Sequence, residues 1–178
     1  MTRILLVHST TDGHTIKISD VIINELTAAG HDVSQCSVTE VSADQLDNAD
    51  TIILGASIRY GKHQKSVYDF VTNNKSLLKT KKTAFFTVNV VARKENKNTP
   101  ETNPYINKFL DEVEWQPDIK GVFAGKLNYP IYGPLDRLMI RLIMYITKGP
   151  TDTSKVYEFT NWESVKQFAQ SFDSQSFD

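Results

Sequence analysis

Apolar and polar positions along this chain form blocks that predict strands and helices in alternation. Short continuous apolar runs are typical of strands buried on both faces, whereas apolar residues three and four positions apart are typical of helices. The predicted strands cover residues 3–8, 31–38, 51–55, 83–90 and 120–127. The predicted helices cover residues 13–29, 44–48, 65–78, 102–113 and 162–172.

The helical spacing also predicts which side chains face the core. In the first helix these are Ile16, Val21, Ile22 or Ile23, and Leu26, with Gly30 as the stop signal. In the third they are Val67, Phe70, Val71 and Leu77 or Leu78. In the helix over 102–113 they are Tyr105, Ile106, Phe109 and Leu110.

Short connections between these elements predict right-handed crossovers and a parallel sheet covered by helices on both faces. Five strands with about five helices suit an α/β fold of the flavodoxin-like type, a three-layer sandwich whose five-stranded parallel sheet has the order 2-1-3-4-5. We expect a single domain over residues 1–178, with an insert at about 128–150 in the region of the fifth strand. Ligands of such sheets bind beyond the carboxyl ends of the strands where the strand order reverses. The loops after the first, third and fourth strands are therefore the candidate site.

Composition changes this picture little. Of the 178 residues, 40% are hydrophobic and 23% charged, which is typical of a globular chain, and the net charge of −1 gives no bias toward nucleic acid. Cys36 is the single cysteine, so it cannot form an internal disulfide, and its place in a predicted strand favours a buried structural thiol. This usage fits a reducing cytosol.

No segment predicts a membrane crossing. The apolar run after Arg3 is too short for a secretory signal, and the run over 138–147 is about half of the roughly 20 residues that a spanning helix needs. A position on a membrane surface stays open.

The loop HSTTDGHT, residues 8–15, runs from the first strand directly into a helix. Hydroxyl groups, backbone amides and the positive end of the helix dipole would all surround an anion there. The loop has neither the lysine of a Walker A motif nor a G-x-G-x-x-G fingerprint. Binding of a phosphate by hydroxyls and amides without a cation is typical of flavin mononucleotide (FMN) sites. The alternative is an ordinary N-capping loop.

The loop GASIRYG, residues 55–61, has small residues that let a flat ligand approach the backbone. Tyr60 is a candidate to flank an isoalloxazine ring, and Arg59 to face a carboxylate or the electron-rich edge of the flavin. The alternatives are a half-buried packing role for Tyr60 and a solvated charge at Arg59.

The loop TVNVVARKENKNTP, residues 87–100, places Asn89 where flavin contacts are made in this fold. Arg93, Lys94 and Lys97 form a basic patch beside the predicted site, or a solvated surface.

Other chemistries fit less well. A response regulator needs an aspartate at the end of the third strand, where this chain has Ala56 and Ser57. The histidines His8, His14, His31 and His63 lack the spacing of metal ligands, so no metal site is predicted.

The insert LNYPIYGPLDRLMIRLIMYITKGP, residues 127–150, predicts a short and very apolar helix over 135–147. Arg137 and Arg141 lie four residues apart and share one side. The helix could pack on the sheet edge, contact a second subunit in a homo-oligomer, or lie at a lipid interface. Its predicted apolar face consists of Leu135, Leu138, Met139, Leu142, Ile143 and Ile146.

Taken together, HSTTDGHT, GASIRYGKH, VNVVARKENKNTPETNPY, YPIYGPLDRLMIRLIM and GPTDT resemble the bacterial menaquinone-dependent protoporphyrinogen IX dehydrogenases, over nearly the whole chain. The resemblance implies an FMN enzyme of haem biosynthesis that oxidises protoporphyrinogen IX to protoporphyrin IX and passes electrons to menaquinone or ubiquinone. It also implies a cytoplasmic protein held peripherally at the inner membrane. A flavodoxin-type electron carrier and a general NAD(P)H:quinone reductase are the alternatives.

The resemblance also assigns residues. No protein acid or base is predicted, because the flavin carries the chemistry. Contacts to the substrate's propionates are expected from Arg59, Arg93, Lys94, Arg137 and Arg141. Contacts to FMN are expected from Ser9, Thr10, Thr11, Asp12, Gly13, His14 and Thr15 at the phosphate, and from Ala56, Ser57, Ile58, Arg59, Tyr60, Gly61, Val88, Asn89, Val90, Val91, Ala92 and Arg93 at the ring.

Overall fold

A computed structural model describes residues 1–174 of the chain. Its main sheet is five-stranded and parallel, with the order β2-β1-β3-β4-β5, which confirms the predicted topology. The strands are β1 Arg3–Ser9, β2 Asp32–Ser37, β3 Thr51–Ser57, β4 Lys82–Asn89 and β5 Ile119–Ala124. The helices are α1 His14–Ala28, α2 Ala43–Asn48, α3 Lys65–Asn73, α4 Lys75–Leu78, α5 Pro104–Val113, α6 Pro134–Ile146 and α7 Trp162–Ser174.

The two faces of the sheet bury separate apolar layers. Helices α1 and α7 cover one face, where α1 contributes Ile18, Ile22 and Leu26 at a spacing of four. The predicted core face of α1 was therefore partly wrong, since Ile16 is only half-buried and is not part of this layer, whereas Val21 is half-buried and packs against it. Helices α3 and α5 cover the other face. There the prediction largely holds, although Tyr105 is half-buried and lines a cavity.

A close approach inside the sheet explains one glycine. A Cβ atom at Gly55 would lie 2.1 Å from Cζ of Phe86, so the strand leading to the GASIRYG loop has no room for a side chain there. Cys36 is half-buried and free, which differs from the predicted full burial, and burial raises the pKa of its thiol.

Two predicted elements are divided. The helix predicted over 65–78 breaks at Asn74, whose side-chain amide donates to the Phe70 carbonyl. The strand predicted over 120–127 ends at Ala124, because the amide of Gly125 donates to Asn89 O and its carbonyl accepts from Phe159 N.

After this break the chain forms a second, antiparallel sheet. Strands β6 Lys126–Asn128 and β7 Val156–Glu158 pair, with Lys126 opposite Glu158. Helix α6 lies between them in the sequence, so the small sheet anchors both ends of the insert. Within residues 1–174, none of the helices has the length and apolar character required to traverse a bilayer.

Candidate functional site

A cavity of about 420 Å³ opens at the carboxyl ends of β1, β3 and β4. This is the place where the strand order reverses, between β1 and β3. The loops after these three strands form its floor, and β6 and α6 form its opposite wall. The volume falls within the usual range for small-molecule sites.

One end of the cavity is built to receive an anion. Helix α1 begins after Gly13, which has a φ of 80°, and no side chain caps its first amides. The Gly13 amide itself donates to Thr10 Oγ1 at 2.9 Å, which fixes the loop. Thr15 lines the cavity, is fully buried, and its hydroxyl has no hydrogen-bond partner among residues 1–174. Uncapped amides and an unpaired buried hydroxyl are the donor groups that a phosphate accepts from.

Gln64 supports this loop from the side. Its Oε1 accepts from Ser9 Oγ at 3.0 Å, and its Nε2 donates to Thr10 O at 3.1 Å and to Thr11 Oγ1 at 3.3 Å. Local sequence patterns do not reveal Gln64, because its partners lie more than 50 positions away and no local motif marks it.

The loop after β3 closes in a tight turn. Arg59 and Lys62 exchange two backbone hydrogen bonds, and the central residues Tyr60 and Gly61 have φ values of 50° and 78°. Positive φ at both central positions is the type I′ geometry, which glycine adopts without strain. The turn holds the Tyr60 ring at the cavity edge, about half exposed (52%).

Two acidic side chains already compensate the positive charge of Arg59. Its guanidinium lies 3.3 Å from Asp12 and 3.5 Å from Asp136, and 5.1 Å from the centre of the Tyr132 ring. Asp136 also accepts a hydrogen bond from the Tyr60 hydroxyl, and that bond raises the pKa of Tyr60. These contacts join the phosphate loop, the turn after β3 and helix α6.

The loop after β4 is shaped by Asn89. Its Oδ1 accepts from Ala92 N at 3.0 Å and from Asn103 Nδ2 at 3.3 Å, which starts a short 3-10 turn over Val90–Arg93. Arg93 is not among the lining residues and donates to the carbonyls of Val90 and Thr147. It therefore connects this loop to the end of α6.

Helix α6 contributes an apolar wall. Ile140, Ile143 and Met144 line the cavity, and Met144 packs in a buried cluster with Leu127 and Tyr132. Most of the predicted periodic apolar face points to solvent, although Ile143 also lines the cavity. Leu135 is 74% exposed and Ile146 69%, and the other exposed members are Leu138, Met139, Leu142 and Ile143.

The two arginines of α6, Arg137 and Arg141, have different surroundings. Arg137 donates to the carbonyls of Pro130 and Tyr132, so it holds the start of the insert together. Arg141 is exposed and forms no ion pair within the described part of the chain.

Most predicted site residues thus meet around one cavity. Those that line it are Thr10, Thr11, Asp12, His14, Thr15, Ser57, Ile58, Arg59, Tyr60, Gly61, Val88, Asn89, Val90 and Val91. Those that do not are Ser9, Gly13, Ala56, Ala92, Arg93, Lys94, Arg137 and Arg141. Lining residues that the sequence analysis did not place there are Tyr105, Gly125, Lys126, Leu127, Tyr132, Ile140, Ile143 and Met144.

The lining fits FMN. The unpaired hydroxyl of Thr15 and the α1 amides suit the ribityl phosphate, whereas the apolar side chains of the opposite wall suit a planar ring. Glycine and turn backbone at residues 57–61 allow that ring to lie against the main chain.

Comparison with known proteins agrees with this geometry. A family profile described as Flavodoxin domain matches residues 5–154. The chain is 41% identical to a protoporphyrinogen IX dehydrogenase [quinone] of Escherichia coli strain K12 over 168 residues, which is 94% of this chain and 93% of that protein. It is also 41% identical to a protein of the same name from Leishmania major, covering 96% of this chain and 74% of that one.

Solved flavodoxins share the fold. Oxidised flavodoxin 2 from Bacillus cereus superposes with a TM-score of 0.57 at 22% identity, covering 97% of this chain and 99% of that one. A flavodoxin from the domain Archaea gives a TM-score of 0.55 at 16% identity, with 97% of both chains covered. From its profile match and its relatives, the chain belongs to the flavodoxin domain family and, within it, to the family of the quinone-dependent protoporphyrinogen IX dehydrogenases.

Proposed function

We propose that this chain is an FMN-dependent oxidoreductase that oxidises protoporphyrinogen IX to protoporphyrin IX and passes the electrons to a respiratory quinone. The observation that carries the proposal is one cavity that combines an anion-binding end at α1 with an apolar wall from α6. The names of the relatives support the substrate and the acceptor.

The cofactor would be held mainly by backbone. Residues 10–15 would bind the phosphate, and residues 57–61 and 88–91 would flank the ring. FMN supplies two-electron redox chemistry when bound, so oxidation of a porphyrinogen by six electrons takes three rounds. The chain's part is to orient the cofactor and to exclude water with its apolar wall.

The substrate is a large macrocycle with carboxylates at its edge. Ile140, Met144 and Tyr132 offer an apolar surface for the macrocycle. Among the five basic residues expected to meet the propionates, Arg59 is the one that lines the cavity. A propionate would compete with Asp12 and Asp136 for the guanidinium of Arg59. The guanidinium of Arg93 already donates to backbone carbonyls.

One ring nitrogen of the lining residue His14 is already engaged. Its Nε2 lies 2.6 Å from Thr160 Oγ1, whose hydrogen is donated to Ala124 O. The imidazole therefore donates from Nε2, and burial lowers its pKa. Protons released from the substrate would pass to water.

The outer face of α6 supports peripheral membrane contact. Its exposed leucines and isoleucines form an apolar strip, and Arg141 and Lys148 are exposed beside it. Apolar side chains in the acyl region with cations at the phosphates are typical of interfacial helices. The helix would place the cavity near menaquinone or ubiquinone at the cytoplasmic face of the inner membrane. A contact with a second subunit is the competing use of this face.

The deciding experiment is anaerobic reduction of the FMN-loaded protein with protoporphyrinogen IX, NADH or a reduced one-electron carrier, followed by a quinone. We expect protoporphyrinogen IX to bleach the flavin absorbance repeatedly while quinone is present. Bleaching by NADH or by the carrier alone would instead indicate a general quinone reductase or an electron carrier.

Two variants of α6 sharpen this test. Ile140→Asp puts a charge on the cavity wall, whereas Leu142→Asp puts the same charge on the exposed face of the same helix. With a water-soluble short-chain quinone, Ile140→Asp should lose porphyrinogen oxidation and Leu142→Asp should keep it. Equal activity of both variants would contradict the proposed substrate position.

A further inference from the structure

Lys126 is a cation that lines the cavity and has no ion-pair partner in the described part of the chain. It is the first residue of β6, is half-buried, and lines the cavity together with Thr10, Thr11 and Thr15. Within residues 1–174 its ammonium forms no ion pair or side-chain hydrogen bond. The other lining cation, Arg59, is neutralised by Asp12 and Asp136.

The reason for this lies in the strand opposite. Glu158 pairs with Lys126 in the β6–β7 register and would be its natural partner. Both carboxylate oxygens of Glu158 are already used, since Oε2 accepts from Lys17 at 3.1 Å and Oε1 from Trp162 Nε1 at 2.9 Å. The fold therefore leaves the positive charge of Lys126 unbalanced beside the cavity.

Lys126 lines the same cavity as the residues of the anion-binding end. The pKa of His14, the first residue of α1, is lowered mainly by burial; the negative charge of Glu158 opposes this, and the positive charges of Lys17 and Lys126 lower it further. Lys126 thus acts on the helix end where the amides are uncapped and the Thr15 hydroxyl is unpaired. Backbone hydrogen bonds fix the chain before Lys126, because the Gly125 amide donates to Asn89 O and the Gly125 carbonyl accepts from Phe159 N.

The geometry points to Lys126 as the residue that pairs with the phosphate of the bound FMN. The inference rests on the FMN binding in the proposed function and adds a cation to a site that the loop sequence predicts to use hydroxyls and amides alone. A charge-assisted hydrogen bond from an ammonium is roughly twice as strong as a neutral one. A partly dehydrated site keeps more of that attraction than open water does.

The test compares two ligands that differ only in the phosphate. FMN and riboflavin are each titrated into the flavin-free protein, and dissociation constants are read from quenching of flavin fluorescence. Lys126→Met should weaken FMN binding about tenfold, which corresponds to about 1.4 kcal/mol, and change riboflavin binding less than about twofold. Lys126→Arg should recover most of the loss, and added salt should weaken FMN binding more in the wild type than in Lys126→Met.

The matched control is Lys120→Met, which removes a lysine of β5 that lies outside the cavity and whose ammonium donates to Gln116 Oε1. It should leave both dissociation constants unchanged. Unchanged FMN binding in Lys126→Met would overturn the inference, and so would equal weakening of FMN and riboflavin, which would indicate a structural role. These titrations use no porphyrinogen, so the inference and the proposed activity can fail separately.

Discussion

The hydroxyl of Tyr60 donates a hydrogen bond to Asp136, so the turn after β3 is tied to the first turn of α6. Asp136 also receives the guanidinium of Arg59. Two walls of the cavity that are 76 residues apart in the sequence are therefore held together by one carboxylate. At its start, the insert contacts the site through the hydrogen bond from Tyr60 to Asp136. At its end, it does so through the hydrogen bonds that Arg93 donates to Thr147.

Removing the Tyr60 hydroxyl should loosen the start of α6. Tyr60→Phe keeps the ring at the cavity edge but loses the hydrogen bond, so we expect the amides of α6 to exchange with deuterium several-fold faster. The stability loss should be about 1 kcal/mol or less, because the contact is exposed. Hydrogen exchange with mass spectrometry measures the first quantity and urea unfolding the second.

A double-mutant cycle with Asp136→Asn measures the coupling of the pair, and the double variant should be no looser than Asp136→Asn alone, which also loses the contact with Arg59. Tyr145→Phe is the matched control, because Tyr145 lies on the exposed face of the same helix. Faster exchange in the control, or none in Tyr60→Phe, would argue against the link.

Gln64 should matter for cofactor affinity although it does not line the cavity. Gln64→Leu removes the bonds to Ser9, Thr10 and Thr11 while keeping a side chain of similar size. The phosphate loop then loses its lateral support, and we expect the FMN dissociation constant to rise about tenfold, equivalent to about 1.4 kcal/mol. Equilibrium titration followed by flavin fluorescence measures it.

The control for this variant is Gln170→Leu, which removes a glutamine that donates to Glu25 on the surface. It should bind FMN as the wild type does. If Gln64→Leu does the same, the loop holds its shape without the glutamine.

The sequence was most informative where structure depends on local pattern. The apolar runs at β1, β3 and β4 predicted buried strands, and the alternation of five strands with about five helices predicted the sheet order. That order predicted which loops meet at the cavity. The pattern could not orient α6, because both its inner residues, such as Met144, and its outer ones, such as Leu142, are apolar.

Residues defined by distant partners could not be predicted. Gln64 belongs to the site through a loop more than 50 positions earlier, and Lys126 through pairing of β6 with β7. Arg93 has the sequence context of a site cation, yet its partner Thr147 lies 54 positions away at the end of the insert. Strands of three residues, such as β6, are too short to produce a recognisable alternation.

A buried histidine should make folding sensitive to acid. The ring of His63 packs between Phe85 and Phe109 and its Nδ1 donates to Ser57 O at 3.0 Å, while burial lowers its pKa to about 4. An unfolded histidine takes up a proton below about pH 6.5. The unfolded state therefore binds more protons between pH 6.5 and 4, so this contribution to stability is complete above pH 6.5 and is lost as the pH falls toward 4.

His63→Phe should flatten that dependence. The full effect of a shift of this size is about 3 kcal/mol, so the difference in unfolding free energy between pH 7.5 and 4.5 should shrink by about 2 to 3 kcal/mol. Urea unfolding at the two pH values measures it. An unchanged difference would mean that folding does not lower the pKa of His63. A residual slope is expected from His8 and His14, whose pKa values burial also lowers.

The exposed face of α6 should control membrane binding. Leu138→Asp combined with Leu142→Asp places two charges on side chains that are 62% and 51% exposed, so folding should be unaffected. We expect at least a tenfold loss of binding to vesicles that contain anionic lipid, measured by co-sedimentation, with FMN affinity retained. Deleting the whole insert would be a poorer test, because Tyr132, Ile140 and Met144 line the cavity.

Two further variants separate a lipid surface from a second subunit. Val156→Asp changes an exposed apolar residue on β7, outside the helix, and should bind vesicles as the wild type does. Arg141→Glu should weaken binding to anionic vesicles more than to neutral ones, because its charge lies beside the apolar strip. If the wild type is a dimer in analytical ultracentrifugation and the double variant becomes a monomer without any change in vesicle binding, the strip covers a second subunit and the lipid proposal is wrong.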